Sequence, residues 1–179
     1  MRNKSKTHLV VMIALFIALD VVLTRILSIN TGVIRIGFGF VPIAICAMMF
    51  GPLWAAAAAA LADIIGVFLF PMGAYFPGFT LSAAIVGLVF GLFLRKSKGG
   101  WPPILFAVVI ICFGDILFLR TFWLTIITGN PFYVLLPMRL VQAAIMFIVQ
   151  FTVLNFIEKT IGTRIRNFYN APRQNDYQA

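Results

Sequence analysis

Four arginines stand where water is scarce. Arg25, Arg35, Arg120 and Arg139 lie in or beside apolar stretches. A guanidinium in hydrocarbon is costly and is kept where it faces a cavity, a partner or a pathway. Each planar fork matches a carboxylate or phosphate in bidentate geometry, so four at similar depth point to a pocket for an anion. Asp20, Asp63 and Asp115 interrupt the same stretches. Pairing with them would leave the arginines nothing for a ligand. Three carboxylates still leave one guanidinium over, however, and the heights of the two sets match poorly. Arg139 and Gln142 are three residues apart and share one helix face. The Gln142 amide therefore stands beside the guanidinium at a site or bonds across to another helix. Phe38, Phe40, Tyr75 and Phe76 can stack on a planar ring, although for any one of nineteen phenylalanines packing or lipid contact is the ordinary role.

Enzyme signatures are mostly absent. The single histidine, His8, cannot build a triad or a metal site from this chain alone. Neither a Walker motif nor a magnesium-holding aspartate pair is present. Cys46 and Cys112 match no metal spacing and read as small packing residues. The expectation is a protein that is not an enzyme and holds no metal and no cofactor of its own.

The elements that position these residues follow from composition. The chain has 179 residues, 62% hydrophobic and 11% charged, whereas a soluble domain has about half and a quarter. The surplus has to face lipid. Apolar runs over 8–28, 38–50, 53–70, 79–94, 103–125 and 136–157 predict an all-α polytopic protein, a compact bundle of six transmembrane helices. The division is a cytoplasmic tail over 1–7, a membrane domain over 8–158 and a cytoplasmic tail over 159–179, disordered from about Ala171.

Of fourteen basic residues, ten fall in three polar segments: Arg2, Lys4 and Lys6; Arg95, Lys96 and Lys98; Lys159, Arg164, Arg166 and Arg173. Helix alternation puts all three on one side, so the net charge of +9 reads as the positive-inside rule and not as a nucleic-acid surface. Trp54 and Trp101 then fall at the inner interface and Tyr75, Trp123 and Tyr133 at the outer one. At about 1.5 Å per residue, Arg25 and Arg120 each stand roughly 25 Å up a core about 30 Å thick. Arg139 and Arg35 belong to the same outer half. The outer connections over 30–39, 71–78 and 128–133 are rich in glycine, proline and aromatic residues. They read as lids over a ligand or as loops resting on the lipid interface.

Ala14 and Ala18 form A-x-x-x-A on the first helix, where another helix can approach closely. With Arg35-Ile36-Gly37-Phe38-Gly39-Phe40-Val41-Pro42, Phe50-Gly51-Pro52 and Tyr75-Phe76-Pro77-Gly78-Phe79-Thr80-Leu81-Ser82-Ala83, this resembles the substrate-binding S components of energy-coupling factor (ECF) vitamin transporters, folate-specific type. The resemblance covers about Thr7 to Lys159. It implies high-affinity binding of folate or reduced folate at the outer face of a bacterial plasma membrane, with both termini cytoplasmic. It also implies docking through Ala14 and Ala18 onto a transmembrane T component joined to two ATPases, which hydrolyse the ATP. Arg25, Arg35, Phe76, Arg120, Arg139 and Gln142 are carried over as ligand residues. Phe40, Tyr75 and Asp63 join them, with Asp63 or Asp20 either facing the donor edge of the pterin or pairing with an arginine. An aromatic cavity with arginines fits folate better than cationic thiamine. Riboflavin fits less clearly, and biotin, with one carboxylate, is an alternative. A small intramembrane transferase acting on an anionic lipid is the competing enzyme reading.

Overall fold

One helix is too short to cross a bilayer, and the others are arranged around it. The computed structural model describes residues 2–30, 35–71, 75–95 and 100–162. In chain order these form α1 (Arg2–Arg25), short antiparallel strands β1 (Ile29–Asn30) and β2 (Arg35–Ile36), α2 (Phe40–Phe50), α3 (Pro52–Leu69) and α4 (Pro77–Leu94). A continuous rod follows, made of α5 (Trp101–Val109), a π-helical stretch (Ile110–Leu119) and α6 (Arg120–Thr128). The last rod is α7 (Phe132–Ile157) with a π turn over Glu158–Gly162. The chain is thus an all-α polytopic membrane protein, with five rods long and apolar enough to span and one shorter helix.

The short one is α2. Its 11 residues rise about 16 Å against a hydrocarbon core of about 30 Å. Eight of them are buried, as a helix apolar on every face must be. Set in the middle of the bundle, α2 leaves the axis unfilled beyond its first residue.

The turn out of α2 is written in its sequence. Gly51 closes the helix at φ 90°, a conformation that favours glycine, and Pro52 opens α3, where its missing N–H costs nothing. The alanine block of α3 packs inward, with Ala55 and Ala58 fully buried. Against it α4 presents small residues. A Cβ on Gly91 would stand 2.2 Å from Pro52 Cα, and one on Gly87 2.5 Å from the Ala55 carbonyl. Gly91→Leu is therefore expected to force backbone apart, at a cost of about 1–3 kcal/mol from overpacking. A lowered midpoint of thermal unfolding in detergent checks this.

The helix limits fall within four residues of the apolar runs in the sequence, except that α1 begins at Arg2. Cys46 and Cys112 are buried and unbridged. Trp54 and Trp101 are exposed on the outside of the bundle. The third outer connection shrinks to Gly129–Pro131, all three exposed. Most of the C-terminal tail, including the stretch from Ala171, lies outside the described residues, as do 31–34 and 72–74 of the other two outer connections. Ala14 and Ala18 are both exposed on α1, the least buried of the five long rods.

Candidate functional site

The space left beyond α2 is a cavity of about 360 Å³, within the usual range of roughly 300–1,000 Å³ for small-molecule sites. It lies at the end of the bundle where α1, α3 and α6 finish and α2, α4 and α7 begin. Phe40 and Ile43 of α2 form its floor. Asp20, Thr24 and Arg25 come from α1, Ala59, Asp63 and Val67 from α3, and Phe79, Ala83 and Val86 from α4. Tyr75 and Phe76 line it from just before α4. The π-helical rod adds Ile111, Asp115, Ile116 and Arg120, and α7 adds Arg139, Gln142, Met146 and Gln150.

One wall is a closed polar chain. Arg25 Nη2 lies 3.4 Å from Asp63 Oδ1, and the Thr80 hydroxyl donates to Asp63 Oδ2 at 2.8 Å. Thr80 has spent its proton, so the Tyr75 hydroxyl, 3.3 Å away, is the donor to Thr80 Oγ1. Gly66 makes room, since a Cβ there would come within 2.8 Å of Arg25 Nε. Beside this chain Thr24 donates to Asp20 Oδ1 at 2.8 Å.

The opposite wall depends on the π-helical stretch. Residues five apart on an α-helix point about 140° away from each other. The wider i→i+5 pattern brings Asp115 and Arg120 to one face, with Arg120 Nε 2.7 Å from Asp115 Oδ2. The same widening lets the Thr121 hydroxyl bond back to the Ile116 carbonyl at 3.1 Å. Such π segments recur at functional sites.

Arg139 is different. Its side chain is buried, Nη1 donates to Gln142 Oε1 at 2.7 Å, and Nε has no partner. Among the described residues no carboxylate lies within ion-pair distance of it. Phe76 packs on Trp123 with ring centroids 5.5 Å apart, and the Trp123 indole donates to buried Ser82 at 3.2 Å.

Arg25, Phe40, Asp63, Tyr75, Phe76, Arg120, Arg139 and Gln142 thus line one cavity. Arg35 pairs with Asn30 through the backbone of β2, but its side chain lies outside the described residues. Two expectations need correction. The aspartates match the arginines better in height than a residue count allowed, because Arg25–Asp63 and Arg120–Asp115 are paired. Trp123 turns toward Phe76 and Ser82 instead of lying in an outer aromatic belt. Thr80 and Trp123 support the site without having been picked out as ligand residues, and Asp115 lines it unselected. Only a helix of changed pitch joins Asp115 to Arg120, and no spacing rule reports that.

A cavity at one end of a membrane bundle, walled by aromatic rings and holding a buried guanidinium with no carboxylate in ion-pair distance among the described residues, defines a small-molecule-binding membrane protein suited to planar anions. A family model described as "ECF-type riboflavin transporter, S component" matches residues 4–161. The chain belongs to this family of S components. Among its relatives is a folate transporter of Clostridium novyi (strain NT), 47% identical over 142 residues, covering 79% of this chain and 83% of that one. A folate transporter of Leuconostoc mesenteroides is 31% identical over 160 residues, 86% of each chain. A crystal structure of FolT bound with folic acid superposes with a TM-score of 0.79 at 31% identity, covering 84% of this chain and 92% of that one.

Proposed function

We propose that this chain binds folate and serves as the folate-specific S component of an ECF transporter. The carrying observation is Arg139, a buried cation facing the cavity with no carboxylate within ion-pair distance among the described residues and with its Nε unpartnered. A ligand that brings its own carboxylate removes that deficit, and the glutamate of folate brings two. The aromatic side of the cavity suits the pterin and benzoyl rings. The folate transporters at 47% and 31% identity support the same reading. Arg25, Arg35, Phe40, Asp63, Tyr75, Phe76, Arg120, Arg139 and Gln142 form the binding set, with Asp63 acting mainly as the partner that holds Arg25.

Riboflavin is the second reading, because the matching family model carries its name. Riboflavin has no carboxylate and would leave Arg139 uncompensated. Uptake belongs to the complex: Ala14 and Ala18 meet a transmembrane T component, and two ATPases hydrolyse the ATP that drives it. This chain supplies no catalysis and no cofactor. It lies in the cell membrane with both termini in the cytoplasm and the cavity facing out.

Uptake of labelled folic acid into a bacterial host lacking its own folate transport tests this. Uptake is expected only when the chain is expressed with a T component and both ATPases, and excess unlabelled riboflavin is not expected to compete. Competition by riboflavin, with folic acid inert, would move the chain to the other vitamin.

A further inference from the structure

The rod that carries Asp115 and Arg120 is wound in an uncommon way, and one residue of another helix holds it on both sides of the change. π winding ordinarily occupies a single turn, whereas here it runs over Ile110–Leu119. The Arg120 N–H still bonds to the Asp115 carbonyl, and α winding takes over beyond it. Close packing does not hold the stretch on one flank. A Cβ on Gly114 would meet nothing within 4 Å, and a groove of about 220 Å³ runs beside it, lined by Gly114, Asp115 and Leu119 of the rod and Val89 of α4. Polar contacts hold it instead. Ser82 of α4, fully buried, accepts the Trp123 indole N–H at 3.2 Å. Its own proton goes to the Asp115 carboxylate, its other side-chain partner. Gly78, one turn earlier on α4, leaves room for the indole, since a Cβ there would stand 2.6 Å from Trp123 Cδ2. Asp115 belongs to the π stretch and Trp123 to α6, so the Ser82 hydroxyl spans the junction at Leu119–Arg120.

Resting on the folate reading, we infer that Ser82 is a positioning residue, whose hydroxyl pins the change of pitch and so keeps Arg120 on the cavity wall. Ser82 does not itself line the cavity, whereas Asp115 and Arg120 do. The α-helix is the default winding, and long π stretches are rare because little favours them. Without the hydroxyl the rod returns to α winding, and the groove beside Gly114 gives it room to do so. Positions 115 and 120 then point about 140° apart. The guanidinium can no longer stand against Asp115 and toward the cavity at once. Trp123 turns with it, away from the Phe76 ring on which it packs.

The test is a double-mutant cycle. Folic acid binding is measured by calorimetry on the full chain purified in detergent, for the wild type, Ser82→Ala, Arg120→Gln and the double variant. Ser82→Ala is expected to weaken binding about tenfold or more, the size of a hydrogen bond to a charged group. In the Arg120→Gln background the same change is expected to cost less than about twofold, because residues that act as one unit are not additive. Ser82→Cys, close in size but a weak hydrogen-bond partner, is measured beside it and is expected to follow the same pattern. A readout without ligand accompanies the cycle. With Trp54→Phe and Trp101→Phe, both exposed on the outside of the bundle, Trp123 is the single tryptophan. In bilayers of phospholipid brominated in its acyl chains, quenching of Trp123 is expected to rise in Ser82→Ala as the indole leaves Phe76 for the lipid. Losses that add across the cycle would make Ser82 an ordinary packing residue and overturn the inference. Quenching that stays at the wild-type level does the same. A wild type that ignores folic acid overturns the folate reading, and the quenching alone then decides whether Ser82 pins the rod.

Discussion

Arg139→Ala is expected to abolish folate binding while leaving the ligand-free protein at least as stable as before. Arg139 is buried, pairs with no aspartate among the described residues, and spends one donor on Gln142. Two hydrogen bonds from this guanidinium to a ligand carboxylate contribute about 1.5–3 kcal/mol each. Their loss weakens binding by roughly a hundredfold or more. The stability of the empty protein carries the opposite sign, because an unpaired buried cation pays a desolvation penalty that alanine does not. Arg25→Ala is the contrasting case. It strands the Asp63 carboxylate, and breaking a buried pair costs about 3–5 kcal/mol, discounted here because Asp63 is partly exposed. Thermal unfolding and folic acid titration on both variants separate the roles. Unchanged affinity in Arg139→Ala, together with a lowered unfolding midpoint, would make Arg139 a structural residue.

The second large effect lies far from the ligand. Ala14→Trp is expected to reduce folate uptake to background in cells that also express a T component and ATPases. Folic acid affinity of the purified chain is expected to stay within about twofold of wild type. α1 is the least buried of the long rods, and Ala14 and Ala18 are exposed on it one turn apart. In a bilayer, helices associate through close packing of small residues, since lipid tails compete with any larger apolar side chain. An indole at position 14 holds a partner helix off without reaching the cavity, whose α1 contributions start at Asp20. Equal loss of binding and uptake would end the docking proposal.

Much of this arrangement is legible in the residues. The apolar runs specify six helices because length and hydropathy are local properties that a bilayer selects for directly. Gly51-Pro52 marks a helix junction because positive φ and a missing N–H leave few alternatives. The arginines identify the site because charge in an apolar stretch is too costly to be incidental. Relative depth is read less well. Counting at a constant rise misplaces Asp63 and Asp115 relative to their partners, because the rods start at different heights and one of them changes pitch. The inward turn of Trp123 depends on Phe76 and Ser82, which lie on or beside a different helix and meet it only after packing. Asp115 stayed hidden for the same reason: its place on the cavity wall beside Arg120 is a property of the assembled, π-wound rod.

Tryptophan fluorescence of the purified, ligand-free chain, titrated with folic acid, tests the central claim most directly. Trp123 packs on Phe76, a cavity-lining ring, at a centroid distance of 5.5 Å. Saturable quenching by folic acid, with thiamine, riboflavin and biotin without effect, is the predicted result. A folded protein whose fluorescence saturates with riboflavin and ignores folic acid would contradict it.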